Sequence, residues 1–577
     1  MTATGHNEKD LLKKISELEA ELKKTKKQKK YGLVYEDKPE QIVEDCKRNV
    51  PILRLKENRK GVDPVVITDA TKEENILIEG DNYHALTVLN YTHKSKFKII
   101  YADPPYNTGN RSWRYNNNYV EKDDAFRHSK WASYIGNRLK LTRDLLTEDG
   151  IIIFAIDDYE VHTLRLLMDD IFGQDNRLGT IVVVHNPGGR QDEMFFATSH
   201  EYMLVYAKNK EKAKVGHLNY FEEKQKSFLH SDDVSSYKLR EFRRSGSNSR
   251  RTDRPNLWYP IYVNPNNLEI STDEVKGWDV MWPIDNEGVE RVWRWNAKTL
   301  EEKKDLYIQT KKDEDSYRFY VKERSVDYKG EKPKTFWFRP EYSAVNGTAT
   351  LKEIFSENLE KIFDFPKSPF LMKDILSITG DNDCSVLDFF AGSGTTGHAV
   401  LELNKQDGGN RKFILCTNNE NNICEEVTYE RIRRVIKGYK NKKDEKVAGL
   451  GGNLRYYKTD LVDVERLQNT PDQSKVKLTY QAGEMIGLRE NTLNEVEKNE
   501  WWQIFEGYGK LSAIYFKEDK EKLSDLVELL EKKDKPTALY IFSWGKNEYK
   551  SEYSSQNIRV EDIPEPILEV YKEINRL

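Results

Sequence analysis

The chain has 577 residues, enough for about three or four domains and a large core. Its 93 basic and 97 acidic residues leave a net charge of −4, which excludes a globally basic nucleic-acid binder and makes any such surface local. Charged residues (33%) and hydrophobic residues (37%) are balanced as in a soluble protein, and no apolar run approaches the ~20 residues of a membrane helix.

The opening residues are polar and then charged, without the apolar core of a signal peptide. Cys46, Cys384, Cys416 and Cys424 have neither ligand spacing nor a pairing pattern, which predicts a reduced, cytoplasmic setting and no metal. Leu11, Ile15, Leu18 and Leu22 form a short heptad seam that runs into Lys23-Lys24-Thr25-Lys26-Lys27-Gln28-Lys29-Lys30. This segment, residues 1–35, reads either as a frayed amphipathic helix or as a dimerisation handle or basic arm.

An α/β alternation occupies residues 36–207. Strands are expected at 76–79, 98–102, 150–157, 180–184 and 201–206, with helices to about Leu89, over 131–146 and over 161–172. Over 208–350 the rhythm fails and Trp258, Trp278, Trp282, Trp293 and Trp295 crowd together, the mark of an inserted domain whose tryptophans suit a core better than a stacking surface. The alternation returns over 351–450, with helices at 351–363, 368–379 and 428–442 and a strand at 412–417. Residues 451–577 form a small α/β module with strands at 513–516 and 538–542.

Two loops stand out at strand ends. Asp103-Pro104-Pro105-Tyr106 follows Lys98-Ile99-Ile100-Tyr101-Ala102, and Asp388-Phe389-Phe390-Ala391-Gly392-Ser393-Gly394-Thr395-Thr396 follows Ser385-Val386-Leu387. Buried parallel strands deliver such loops to the carboxyl edge of a sheet. There the first loop suits a flat amine-bearing ring, and the second, with a Gly-x-Gly turn opening a helix, suits a cofactor. Asp-Pro-Pro turns also occur in ordinary loops, although Asn107-Thr108-Gly109 extends this one. A phosphate loop would need a Lys after its glycines, which is absent; Gly397 supplies a third glycine, so the glycines alone leave a dinucleotide open.

In this order the two motifs resemble those of the permuted (β) amino-group DNA methyltransferases. Tyr31-Gly32-Leu33-Val34-Tyr35-Glu36, residues 254–261, residues 451–460 and Leu488-Arg489-Glu490-Asn491 look like the modification (Mod) subunits of type III restriction–modification systems. The resemblance implies a Rossmann-like, circularly permuted α/β sheet with an inserted target recognition domain, binding S-adenosylmethionine. It makes Asp103, Pro104, Pro105 and Tyr106 catalytic: Asp103 and the carbonyl of Pro104 or Pro105 accept the two hydrogens of an exocyclic amine, and Tyr106 stacks on a base taken out of the duplex. It gives the cofactor Asp388, Phe390, Ala391, Gly392, Ser393, Gly394, Thr395 and Thr396. To these it adds Asp81 near the cofactor's adenine, Glu420 at its ribose and Lys367, in Lys367-Ser368-Pro369, near the methionine end. The family more often has Pro where this chain has Phe389.

Residues 237–256 carry Lys238, Arg240, Arg243, Arg244, Arg250, Arg251 and Arg254 against two acids, which suits contact with double-stranded DNA. The implied activity is adenine-N6 methylation. The alternatives are transfer to cytosine N4, where such enzymes more often carry Ser at the position of Asp103, a catalytically dead specificity subunit, and an RNA or protein methyltransferase. A homodimer is the expected assembly. No helicase or nuclease motif is present, so cleavage would belong to a separate restriction subunit.

Overall fold

Runs such as Asn75–Glu79, in which every side chain is buried, can form strands only where both faces are covered. The computed structural model places them at the centre of an 11-stranded sheet flanked by helices. It describes residues 36–577 except 37, 59–61, 117, 192, 220–224, 315, 356–362, 364, 365 and 545–548, so the seam and basic run expected over 1–35 lie outside the described residues. The chain divides into two units. One runs to Lys214 and resumes at Thr335; the other is Val215–Lys334.

In the first unit the sheet strands, in chain order, are β1 (Asn49–Leu55), β2 (Asn75–Glu79), β3 (Phe97–Ala102), β4 (Leu146–Ile156), β5 (Arg177–Val184), β6 (His200–Ala207), β7 (Phe336–Trp337), β8 (Ser385–Asp388), β9 (Lys412–Thr417) and β10 (Leu454–Asp463). Their spatial order is β1-β10-β2-β9-β8-β3-β4-β6-β5-β7, with the short strand Val65–Val66 beside β10. From β10 through β4 the neighbours are parallel, so β2, β9, β8, β3 and β4 present their carboxyl ends at one edge. Strand β6 runs antiparallel to β4 and therefore brings its first residues to that same edge. The permuted order is visible here: β8, late in the chain, lies between β9 and β3, and Asp388 stands opposite Tyr101.

Helices α1 (Asn82–Thr92), α2 (Arg127–Leu145), α3 (Val161–Phe172), α4 (Pro369–Thr379), α5 (Thr395–Asp407) and α6 (Glu430–Lys437) accompany these strands. Proline at the first position of α4 and the Asp81 carboxylate capping α1 fix where those helices begin. The helix expected over 428–442 differs. A π-helical stretch at Ile423–Tyr429 precedes α6, and Gly438, at φ +92°, ends it and starts a hairpin between Gly438–Lys440 and Lys446–Ala448. The helix expected over 351–363 begins earlier, as Ala344–Phe355, and the rest of that expectation, 356–362, lies outside the described residues.

The C-terminal module adds a five-stranded sheet in chain order, β11 (Asn494–Lys498), β12 (Trp502–Gly507), β13 (Lys510–Tyr515), β14 (Thr537–Phe542) and β15 (Ile558–Ile563). Its last helix, α7 (Glu565–Asn575), packs back on the main sheet, where Tyr571 donates to the Pro51 carbonyl at 2.6 Å.

The second unit, narrower than the insertion expected over 208–350, pairs His230–Ser231, Ser236–Glu241, Tyr317–Arg324 and Ile308–Lys312 in one sheet and Ile261–Val263 with two short strands in another. Trp293 is buried and stacks on Phe242 at 5.4 Å, with Trp295 meeting that ring edge-on. Trp258 and Trp282 stack on each other at 5.1 Å, and Trp282 is exposed. The four cysteines are buried and free. Among the described residues no helix is long and apolar enough to cross a membrane, and no group of three or more His, Cys, Asp or Glu is placed to hold a metal.

Candidate active site

Strand β3 ends at Ala102 and releases Asp103 to Tyr106 at the shared edge. The Tyr106 hydroxyl donates to Asp103 Oδ1 at 2.7 Å and receives Lys367 Nζ at 2.6 Å. Lys367 also reaches Glu201 Oε2 at 2.6 Å and Asp103 Oδ1 at 3.3 Å. The cluster therefore holds two carboxylates and one ammonium around one phenol. Burial pushes the Asp103 carboxyl above its ordinary value and Glu201 adds to this, while Lys367 opposes both. Burial also penalises the charged Glu201, but Lys367 overrides it and holds that carboxyl below the usual range. Lys367 itself stays charged, because the two acids outweigh the burial that would lower it.

The prolines present one usable carbonyl. Trp131 Nε1 donates to the Pro105 oxygen at 2.7 Å, whereas the Pro104 oxygen has no hydrogen-bond partner among the described residues. The turn is anchored beyond Tyr106 by Asn107, buried at φ +60°, whose side chain donates to the buried Glu160.

Strand β8 delivers the glycine loop beside it. Asp388 does not point outward. It accepts the Phe390 N–H at 3.0 Å and the Thr396 hydroxyl, tying the two ends of the loop together. Burial lifts its carboxyl to about 7 despite those bonds. Gly392 and Gly394 have φ +49° and +74°, and a Cβ on Gly392 would lie 2.8 Å from the Phe363 ring. Thr428 holds the Gly392 carbonyl at 2.6 Å. Helix α5 then starts at Thr395 with its N-terminus at the edge. The turn leaves a cradle of backbone that only small residues permit, which fits a nucleoside cofactor with a carboxylate.

The remaining expected residues are all brought to this edge, with partners. Asp81 follows β2, caps α1 through the Tyr83 N–H at 2.7 Å, and pairs at 3.0 Å with the buried Arg138. Glu420 follows β9 and accepts from Tyr119 at 3.2 Å. Lys367, expected near the methionine end, extends its side chain to the Asp103 cluster. Sequence reasoning missed Glu201, whose signal is an acid at the start of an otherwise apolar strand. It also missed Arg431, buried under the glycine loop, where Nη1 donates to Thr395 Oγ1 at 2.9 Å.

In the second unit, four of the expected DNA contacts are paired with acids: Lys238 and Arg240 with Glu323, Arg243 with Glu241, Arg251 with Glu290. Arg244, Arg250 and Arg254 have no ion pair among the described residues. Arg294 lies within the field of Arg240 and Arg244, and burial together with those like charges holds it below its ordinary value.

Comparison with known proteins decides the affiliation. The N6/N4 methyltransferase family, described as DNA methylase, matches residues 97–430, more than half of the chain and both loops. The chain belongs to this family. The type II methyltransferase M.KpnI of Klebsiella pneumoniae is 36% identical over 342 residues, covering 59% of this methylase and 79% of the relative. The EcoPI Mod subunit, a type III restriction-modification enzyme of Escherichia phage P1, is 35% identical over 378 residues, covering 60% and 58%. The StyLTI Mod subunit of Salmonella typhimurium is 29% identical over 405 residues, covering 64% and 58%. The match thus spans a little over half the length of the Mod relatives. As a member of the family the chain is a DNA methyltransferase, and the family's methyl donor is S-adenosylmethionine.

Proposed function

We propose that this methylase modifies N6 of adenine within a short sequence of duplex DNA, as a type III Mod-like modification subunit or a solitary relative. The observation that carries the reading is the Asp103–Tyr106 cluster on β3, adjacent in the sheet to the glycine loop on β8. Adenine's exocyclic amine is a poor nucleophile because its lone pair is delocalised into the ring. Asp103 accepts one of its hydrogens and the Pro104 carbonyl the other, which favours a more tetrahedral nitrogen with an available lone pair. Tyr106, held at its hydroxyl by three partners, keeps its ring fixed as a stacking face for a base removed from the duplex. Bound S-adenosylmethionine supplies an electrophilic methyl on a sulfonium. An amine that takes up that methyl must shed a proton, and Asp103 would accept it. Residues 388–396, Asp81, Glu420 and the backbone at Lys367 hold the cofactor.

The unit Val215–Lys334 reads the target sequence, with Arg244, Arg250 and Arg254 on phosphates. The protein works in the cytoplasm as a homodimer, and cleavage belongs to a separate helicase–nuclease subunit where the system has one; the relatives named as Mod subunits support the separate subunit alone. Transfer of labelled methyl to duplex DNA, RNA and protein, followed by nucleoside analysis, tests the reading. Label only in duplex DNA, as N6-methyladenine, is expected; label as N4-methylcytosine, or in RNA or protein, contradicts it.

A further inference from the structure

Beneath the glycine loop lies a charge that the mechanism above does not use. Arg431, in α6, has no exposed surface. Its Nη1 donates to the Ser393 carbonyl at 3.2 Å, Ser393 Oγ at 3.1 Å and Thr395 Oγ1 at 2.9 Å, and Nη2 meets His398 Nδ1 at 3.2 Å. All these acceptors are neutral: burial keeps His398 below its ordinary value, and its Nε2 faces Glu402 at 3.3 Å. The Nε of Arg431 has no partner among the described residues. No carboxylate pairs with the guanidinium among the described residues. Glu402, whose charge acts on Arg431 through space, is already engaged by Lys373 at 2.8 Å and by His398.

A buried guanidinium without a counter-ion is costly, and burial lowers its proton affinity, to about 10 here. The cost falls if an anion sits on the loop. The first turn of α5 adds positive potential of the same sign. Of the charged groups on the methyl donor, the sulfonium and the ammonium are cations, and only the carboxylate gains from this field.

We propose that Arg431 is a positioning residue for the cofactor: its guanidinium braces Ser393 and Thr395 from behind and biases the loop toward a ligand that bears a carboxylate. The inference rests on the reading that residues 388–396 hold the methionine end of the cofactor. An ordinary structural bolt would support the loop for any ligand alike. A charge acting through the loop distinguishes S-adenosylmethionine from its decarboxylated form, which differs only in that group.

Calorimetric binding of these two compounds to the full chain, without DNA, separates the two cases. Arg431→Met should weaken S-adenosylmethionine by about tenfold or more and leave the decarboxylated form unchanged or tighter. Arg431→Lys, which keeps the charge, should retain most of the preference. Glu402→Gln, which removes a negative charge that acts on the guanidinium through space without pairing with it, should widen it. Equal weakening of both ligands in Arg431→Met overturns the proposal. So does an unchanged ratio in Glu402→Gln, which decides the matter if Arg431→Met does not fold. A wild-type chain that binds both equally also overturns it, whereas one that binds neither overturns the cofactor reading beneath it.

Discussion

Asp103 has to be ionised to accept an amine hydrogen, and burial and two charged neighbours set where it titrates. Burial raises its carboxyl, Lys367 lowers it and Glu201 raises it. Removing Lys367 therefore lifts it further. In Lys367→Met the acidic limb of the rate–pH profile should move to higher pH, so that the loss at pH 6 exceeds the loss at pH 8.5. Glu201→Gln removes a negative charge and should move the limb the other way, while lowering the plateau because Lys367 and Tyr106 lose their common anchor. Transferred methyl counted across pH checks both, and parallel loss at every pH would contradict the electrostatic account. Asp103 and Tyr106 were legible because they are adjacent in sequence at a strand end. Glu201 was not, because it reaches Tyr106 across 95 residues only through the antiparallel pairing of β6 with β4.

The glycine loop carries a buried carboxyl of its own. Asp388 has a folded-state value near 7, against an ordinary 3.8. Its value is raised, so the stability it contributes is fully present below the ordinary value and is lost as the pH climbs through about 7. Asparagine keeps the hydrogen-bonding shape and cannot ionise. Without cofactor, Asp388→Asn should melt higher than the wild type at pH 8, with the difference shrinking toward pH 5. Scanning calorimetry at the two values checks this, and a difference independent of pH would contradict it. The strand and the turn were readable from Ser385 to Thr396, because an apolar run and two glycines dictate local conformation. The helix expected over 428–442 differs at both ends, since a π-helical stretch begins at Ile423 and the α-helix stops at Lys437. Arg431 turns inward to the loop, and Gly438 breaks the helix.

The sheet as a whole was readable because buried parallel strands are near-continuous apolar runs, whatever the order in which the chain visits them. Where the chain leaves it was harder to see. Phe336–Trp337 rejoins β5 with only two residues, a strand too short to leave a periodic signal. Within Val215–Lys334, seven cations looked equivalent in sequence, but three acids, Glu323 on the neighbouring strand Tyr317–Arg324 with Glu241 and Glu290, pair with four of them. Replacing Arg244, Arg250 and Arg254 together by Ala should weaken duplex binding and flatten its dependence on log salt by roughly 3, about one per lost phosphate contact. An unchanged slope in a salt titration would remove them from the interface.

If Asp103 enables methylation of adenine at one sequence, loss of its carboxylate must erase the mark there. Single-molecule modification sequencing of DNA from cells producing the intact chain, beside cells producing Asp103→Ala, reads this out. N6-methyladenine at a single short motif, present only with the intact chain, is the expected result. Methyladenine that persists in the Asp103→Ala cells, or N4-methylcytosine in its place, would contradict it.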